Sequence, residues 1–129
     1  MGSRYYHCKV CGNVLAAVLP SGVTPFWCDC KMDSLAENSI EGKGEWHVPV
    51  VERVNDCTIR VKIGKKPHPM TKEHHICFMV VETARGATIR YLDADEAPDV
   101  NILCKETPVA VYAYCNLHGV WRTTDIKGL

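Results

Sequence analysis

Apolar and polar residues alternate without a break through Cys57-Thr58-Ile59-Arg60-Val61-Lys62-Ile63. Period two is the signature of a strand with one buried and one wet face. The same texture predicts further strands at about 48–54, 76–83, 86–92, 101–105 and 108–114, with a last one near 119–124. Asn55-Asp56, Arg85-Gly86 and the stretch from Asp93 to Pro98 supply turn chemistry between them. Short strands in this number, without a convincing helix, predict an all-β protein built on an antiparallel sandwich of immunoglobulin-like class. Upstream the alternation stops. Residues 4 to about 36 form a cysteine-bounded unit with little apolar periodicity, and the polar stretch from Asn38 to Gly44 reads as a linker. The expected division is a small metal-binding domain over 1–37 and a β-sandwich over 38–129.

Composition narrows the function classes. A chain of 129 residues can hold one good core with a small appendage. Its 15 basic and 15 acidic residues cancel, so neither nucleic acid nor an anionic membrane is an expected partner. No apolar run approaches the roughly 20 residues of a membrane span. The first residues, Met1 to Tyr6, carry no apolar signal-peptide core, and a cytoplasmic protein is expected.

In such a compartment the eight cysteines point away from disulfides. Cys8-x-x-Cys11-Gly12 is a knuckle: two thiolates can grip one metal while Gly12 lets the chain turn behind them. Cys28-Asp29-Cys30 returns a second pair. Four thiolates suit a single iron, zinc or an iron–sulfur cluster. Cys57, Cys77 and Cys104 sit singly on strand positions and read as small buried hydrophobes.

The histidines form a second constellation. Pro67-His68-Pro69-Met70 stiffens a loop that carries His68 and, six residues on, His74. His47 begins a strand, and Cys115-Asn116-Leu117-His118 places a thiolate and an imidazole in one turn. Four nitrogens and one sulfur leave a six-coordinate metal one open position, which suits iron better than structural zinc. His75 would point away from its neighbour on a strand and reads as a non-ligand.

Taken together, Glu45-x-His47-Val48-Pro49-Val50, Pro67-His68-Pro69-Met70 with His74, and Cys115-Asn116-Leu117-His118-Gly119 with Trp121 resemble the superoxide reductases of the two-domain desulfoferrodoxin type. The Cys8–Gly12 knuckle is similar to that family's desulforedoxin-like N-terminal domain. The resemblance implies a non-haem iron with His47, His68, His74 and His118 in its plane and Cys115 axial. It implies one-electron reduction of superoxide to hydrogen peroxide, a second iron in the cysteine site, a rubredoxin-like electron donor and a homodimer. Glu45 matches a glutamate that can occupy the sixth position in the oxidised resting state.

Two positions depart from the pattern. Trp46 stands where most members carry a lysine thought to attract superoxide; Lys43 and Lys72 are the substitutes the sequence offers. Asp29 separates two cysteines that the family has adjacent, which keeps zinc or an iron–sulfur cluster open for the N-terminal centre. The competing functions are an electron-transfer or peroxide-handling iron protein and a non-catalytic zinc module. Iron–thiolate absorption of the anaerobically purified protein separates iron from zinc.

Overall fold

The computed structural model describes residues 4–35, 38, 44–66 and 68–128. The chain divides into two compact units, Met1–Glu37 and Asn38–Leu129.

In the first unit, β1 (Tyr5–His7) lies between β2 (Val14–Ala16) and β5 (Asp33–Ser34), antiparallel to both. A separate hairpin joins β3 (Phe26–Trp27) to β4 (Cys30–Lys31). Trp27 registers against Cys30, so the turn holds only Cys28 and Asp29. Both have positive φ, 54° and 55°, the backbone of a type I′ turn whose twist matches its flanking strands. The core of this unit is small: Tyr6, Cys8 and Met32, with Leu15 and Ala17 packed against them.

The second unit begins with a single helical turn, α1 (Gly44–His47), where a strand start was expected at His47. Strands β6 (Pro49–Asn55), β7 (Thr58–Ile63), β8 (Ile76–Thr83), β9 (Gly86–Tyr91), β10 (Asp99–Leu103), β11 (Pro108–Cys115), β12 (Gly119–Thr123) and β13 (Ile126–Lys127) follow. They form two four-stranded sheets, ordered β10-β7-β6-β13 and β12-β11-β8-β9. All pairs are antiparallel except β13 on β6. The predicted alternation is realised on β7: Ile59, Val61 and Ile63 are buried while Arg60 faces out. They meet Val51 of β6, Met79 and Val81 of β8, and Val111 and Ala113 of β11 in one core. Fully burying an aliphatic side chain of this size stabilises the fold by about 1.5–3 kcal/mol.

Three details differ from expectation. Asn38, read as the first linker residue, is clamped to β12. Its N–H donates to Val120 O at 2.9 Å, its Nδ2 donates to Arg122 O at 3.1 Å, and its Oδ1 accepts from Arg122 N at 2.7 Å. Residues 39–43 lie outside the described residues. Cys57, Cys77 and Cys104 are half-buried rather than buried, because each lies at or near a strand end. Among the described residues, no helix is long and apolar enough to cross a membrane.

Candidate metal centre

Four segments of the second unit converge. His47 closes α1, His68 and His74 belong to the β7–β8 connection, Cys115 ends β11, and His118 sits in the β11–β12 turn. The imidazoles form a ring. Centroids are 4.6 Å apart for His47–His68, 4.8 Å for His68–His74, 5.0 Å for His74–His118 and 4.9 Å for His118–His47. Neighbouring rings stand nearly perpendicular, at 72° to 82°. The opposite pair, His47 and His74, is 6.4 Å apart. Half of that 6.4 Å, about 3.2 Å, is the reach an imidazole needs to set one nitrogen roughly 2.1 Å from a central ion.

The donor atoms agree with the rings. Those of His47, His74, Cys115 and His118 all lie within 4.8 Å of one another. His118 Nδ1 is 3.1 Å from His47 Nε2 and 3.7 Å from Cys115 Sγ. His68 falls outside that tightest group, yet its ring touches two members of it. Its Nδ1–H donates to Pro69 O at 2.7 Å, which leaves Nε2 as the unprotonated nitrogen. That Nε2 is buried and meets no protein donor. A lone pair stranded out of water costs free energy unless something binds it, and a cation does so. Burial also pushes His68 down to about 4, so the ring stays neutral and ready to ligate.

The thiol is equally prepared. Cys115 is fully buried, and burial raises its pKa, while the N–H groups of Leu117 and His118 act the other way. Without a neighbouring positive charge it holds its proton; beside a metal ion it is the thiolate. Four imidazoles with one ionisable thiol form a mixed nitrogen–sulfur donor set, and iron fits it.

Two residues, one inside the Cys115 motif and one just after it, support this ring. Trp121, 1% exposed, stacks on His47 at 4.7 Å and 18°, and its Nε1–H donates to His118 O at 3.1 Å. Asn116 brackets His74. Its Oδ1 accepts from His75 N at 2.9 Å and its Nδ2 donates to Glu73 O at 2.9 Å. Thr71 closes the same loop, its Oγ1 accepting from His74 N at 3.1 Å. His75, expected to be no ligand, turns instead toward Cys77, with Nε2 3.7 Å from Sγ.

The other expected residues fall outside the ring. Glu45 is exposed and forms an ion pair with Lys66, Nζ to Oε1 3.3 Å. Lys66 also lies over the Trp46 indole, 5.2 Å from its centroid. The sequence reading passed over Lys66 in favour of Lys43 and Lys72. Lys43 lies outside the described residues, as does Pro67, and Lys72 is an exposed residue of the 71–74 bend.

In the first unit, the sulfurs of Cys8, Cys11 and Cys28 lie within 4.8 Å of one another. The knuckle forms as its spacing predicts: Gly12 N donates to Cys8 O at 2.7 Å with φ +84° at Gly12. The N–H groups of Cys11 and Val10 lower the pKa of Cys8. Partial desolvation, and then the Cys11 and Cys8 thiols, push Cys28 up to about 11. Cys30 is not in this group. Cys28 occupies the first corner of the turn, whereas Cys30 already stands on β4, with Asp29 between them.

The family profile described as desulfoferrodoxin matches residues 39–124. A desulfoferrodoxin of Desulfarculus baarsii is 34% identical over 124 residues, 95% of this chain and 96% of that one. One of Syntrophotalea carbinolica is 37% identical over 119 residues, 92% of this chain and 93% of that one. The crystal structure of the superoxide reductase from Treponema pallidum aligns with a TM-score of 0.76 at 28% identity, covering 93% of this chain and 95% of that one. Profile, whole-length identity and shared fold agree, and the chain belongs to the desulfoferrodoxin family.

Proposed function

We propose that this protein is a superoxide reductase in which His47, His68, His74, His118 and Cys115 would hold a non-haem iron. The observation that carries the reading is the ring of four imidazoles closed around one point beside a fully buried Cys115. Iron held there supplies the single electron that, with two protons, converts superoxide to hydrogen peroxide. The chain's residues do the rest. Cys115 is sealed from solvent. The Leu117 and His118 amides temper the sulfur's charge, and Trp121 and Asn116 hold three of the imidazoles in place. Glu45 and Lys66, on the segments leading into His47 and His68, form an ion pair.

Cys8, Cys11 and Cys28 hold a second iron, with Cys30 as the fourth thiolate, a set supported by the preference of such ions for four sulfurs. The domains then follow the two units, with iron chemistry in 38–129. One electron enters per turnover, so a rubredoxin-like one-electron protein is the expected donor. A homodimer follows from the family resemblance. Eight free cysteines favour a reducing, cytoplasmic setting.

The test is anaerobic mixing of the reduced, iron-loaded protein with pulse-generated superoxide. Ferrous oxidation with one peroxide formed per iron, and no dioxygen evolved, supports the reading. A ferrous centre that superoxide leaves unoxidised, or zinc in both sites of the native protein, overturns it.

A further inference from the structure

Glu45, two residues before His47, puts a carboxylate on the segment that enters the ring, where it would repel an anionic substrate. A fixed cation beside it would offset that repulsion, and Trp46 carries no charge.

We infer that Lys66 is that cation and that Trp46 places it, so that Trp46 holds a charge rather than carrying one. The inference rests on the superoxide reductase reading. The backbone at Lys66 is fixed against α1: the N–H groups of Lys65 and Lys66 donate to Glu45 O at 2.7 and 3.2 Å. Gly64, at φ +80°, allows the approach, because a Cβ there would lie 2.5 Å from Trp46 O. From this base the side chain crosses the indole, and its Nζ comes 5.2 Å from the ring centroid and 3.3 Å from Glu45 Oε1. The aromatic face attracts the ammonium. The carboxylate holds it laterally, and its own charge is offset in return. Lys66 is thus tied to the helix that ends in His47 while lying two residues before His68. Among the described residues, Lys66 is the lysine in contact with both Glu45 and Trp46.

The experiment uses the full-length, iron-loaded protein and its Lys66→Met, Lys66→Arg, Lys72→Met and Lys105→Met variants. Iron content and the thiolate absorption band establish that each variant keeps its centre. The second-order rate constant with superoxide is then measured against ionic strength. Lys66→Met is expected to be roughly tenfold slower at low salt, with a shallower salt dependence. Lys66→Arg should stay near wild type, and Lys105→Met should match it. A second arm needs no turnover: azide, an inert monoanion, is titrated into the oxidised protein, and Lys66→Met is expected to bind it several-fold more weakly. A Lys66→Met variant with the wild-type rate, salt slope and azide affinity overturns the assignment, as does a loss that falls on Lys72→Met instead. Wild-type protein inert to superoxide would sink the functional reading, while the azide arm would still decide the role of Lys66.

Discussion

Asn116 is bonded to the residues on both sides of His74, and it sits in the chain between Cys115 and His118. One amide side chain therefore ties three donors of the ring together. Asn116→Ala removes both bonds and leaves the Glu73 carbonyl and the His75 amide to water. Support of this kind typically contributes 10- to 100-fold to metal affinity. The apo variant is expected to bind Co²⁺ at the nitrogen–sulfur site about 10- to 100-fold more weakly in a chelator competition, with an unchanged far-ultraviolet spectrum. Affinity within twofold of wild type would show the bracket to be dispensable. The donors themselves were legible in the sequence because each lies in a short, distinctive local motif. Asn116 stood inside one of those motifs, but its bracing role was not legible, since its partners lie 41 and 43 residues away. Lys66 escaped for a related reason. It directly precedes the Pro67-His68-Pro69-Met70 motif, but its partners Glu45 and Trp46 reach it only through the fold.

The longer strands were read well, and the shortest elements were missed. β8 was placed at its observed bounds and β7 within one residue, because each alternates or runs apolar over a length that needs a core. α1 is four residues long and β13 two, too short for any period to show. The strands of the first unit are two or three residues each, and there turns and sulfur placement replace periodicity as the organising force. Gly64 joins two of the well-defined elements, following β7 and packing against α1. An added Cβ there would meet Trp46 O at 2.5 Å at a φ of +80°, so either the backbone must move or α1 must shift. Gly64→Ala is expected to destabilise the second unit by about 2–4 kcal/mol and to weaken metal binding through His47, as urea unfolding of the apo protein and metal titration will show. Across β7 and β10, Arg60 forks onto Asp99 and holds its carboxyl below the usual carboxylate range. A lowered folded-state pKa stabilises the fold above the unfolded value, near pH 4, and that gain fades as pH falls through the lowered pKa. The pair is partly exposed, so solvent screening keeps the contribution small. The stability difference between wild type and Asp99→Asn should therefore be constant from pH 5 to 8 and close below about pH 4 in acid titrations.

The two units differ in what holds each of them. The second has a continuous core drawn from both sheets, running from Val51 and Ile59 to Val111 and Ala113. The first buries Tyr6, Cys8 and Met32 but leaves Val18, Leu19, Val23 and Phe26 at least 70% exposed. A core of that size cannot offset the conformational entropy of some thirty ordered residues at about 1–2 kcal/mol each. Its turn also sets Cys28 and Asp29 at positive φ, which costs non-glycine residues about 1–2 kcal/mol apiece. Metal binding is the term large enough to close the gap, since structural sites of this type supply roughly 10 kcal/mol or more. Cys11→Ser removes one sulfur of the described trio and should uncouple the units. Iron is expected to fall from two to one per chain, and limited proteolysis should cut within residues 4–35. Amide exchange along Ile59–Ile63 and the superoxide rate constant should stay within about twofold of wild type, because the second unit keeps the whole of its own core and donor set. Loss of the nitrogen–sulfur iron along with the first would mean that the cysteine centre also holds up the sandwich. Persistence of a protease-resistant first unit without its metal would mean that its few buried side chains suffice.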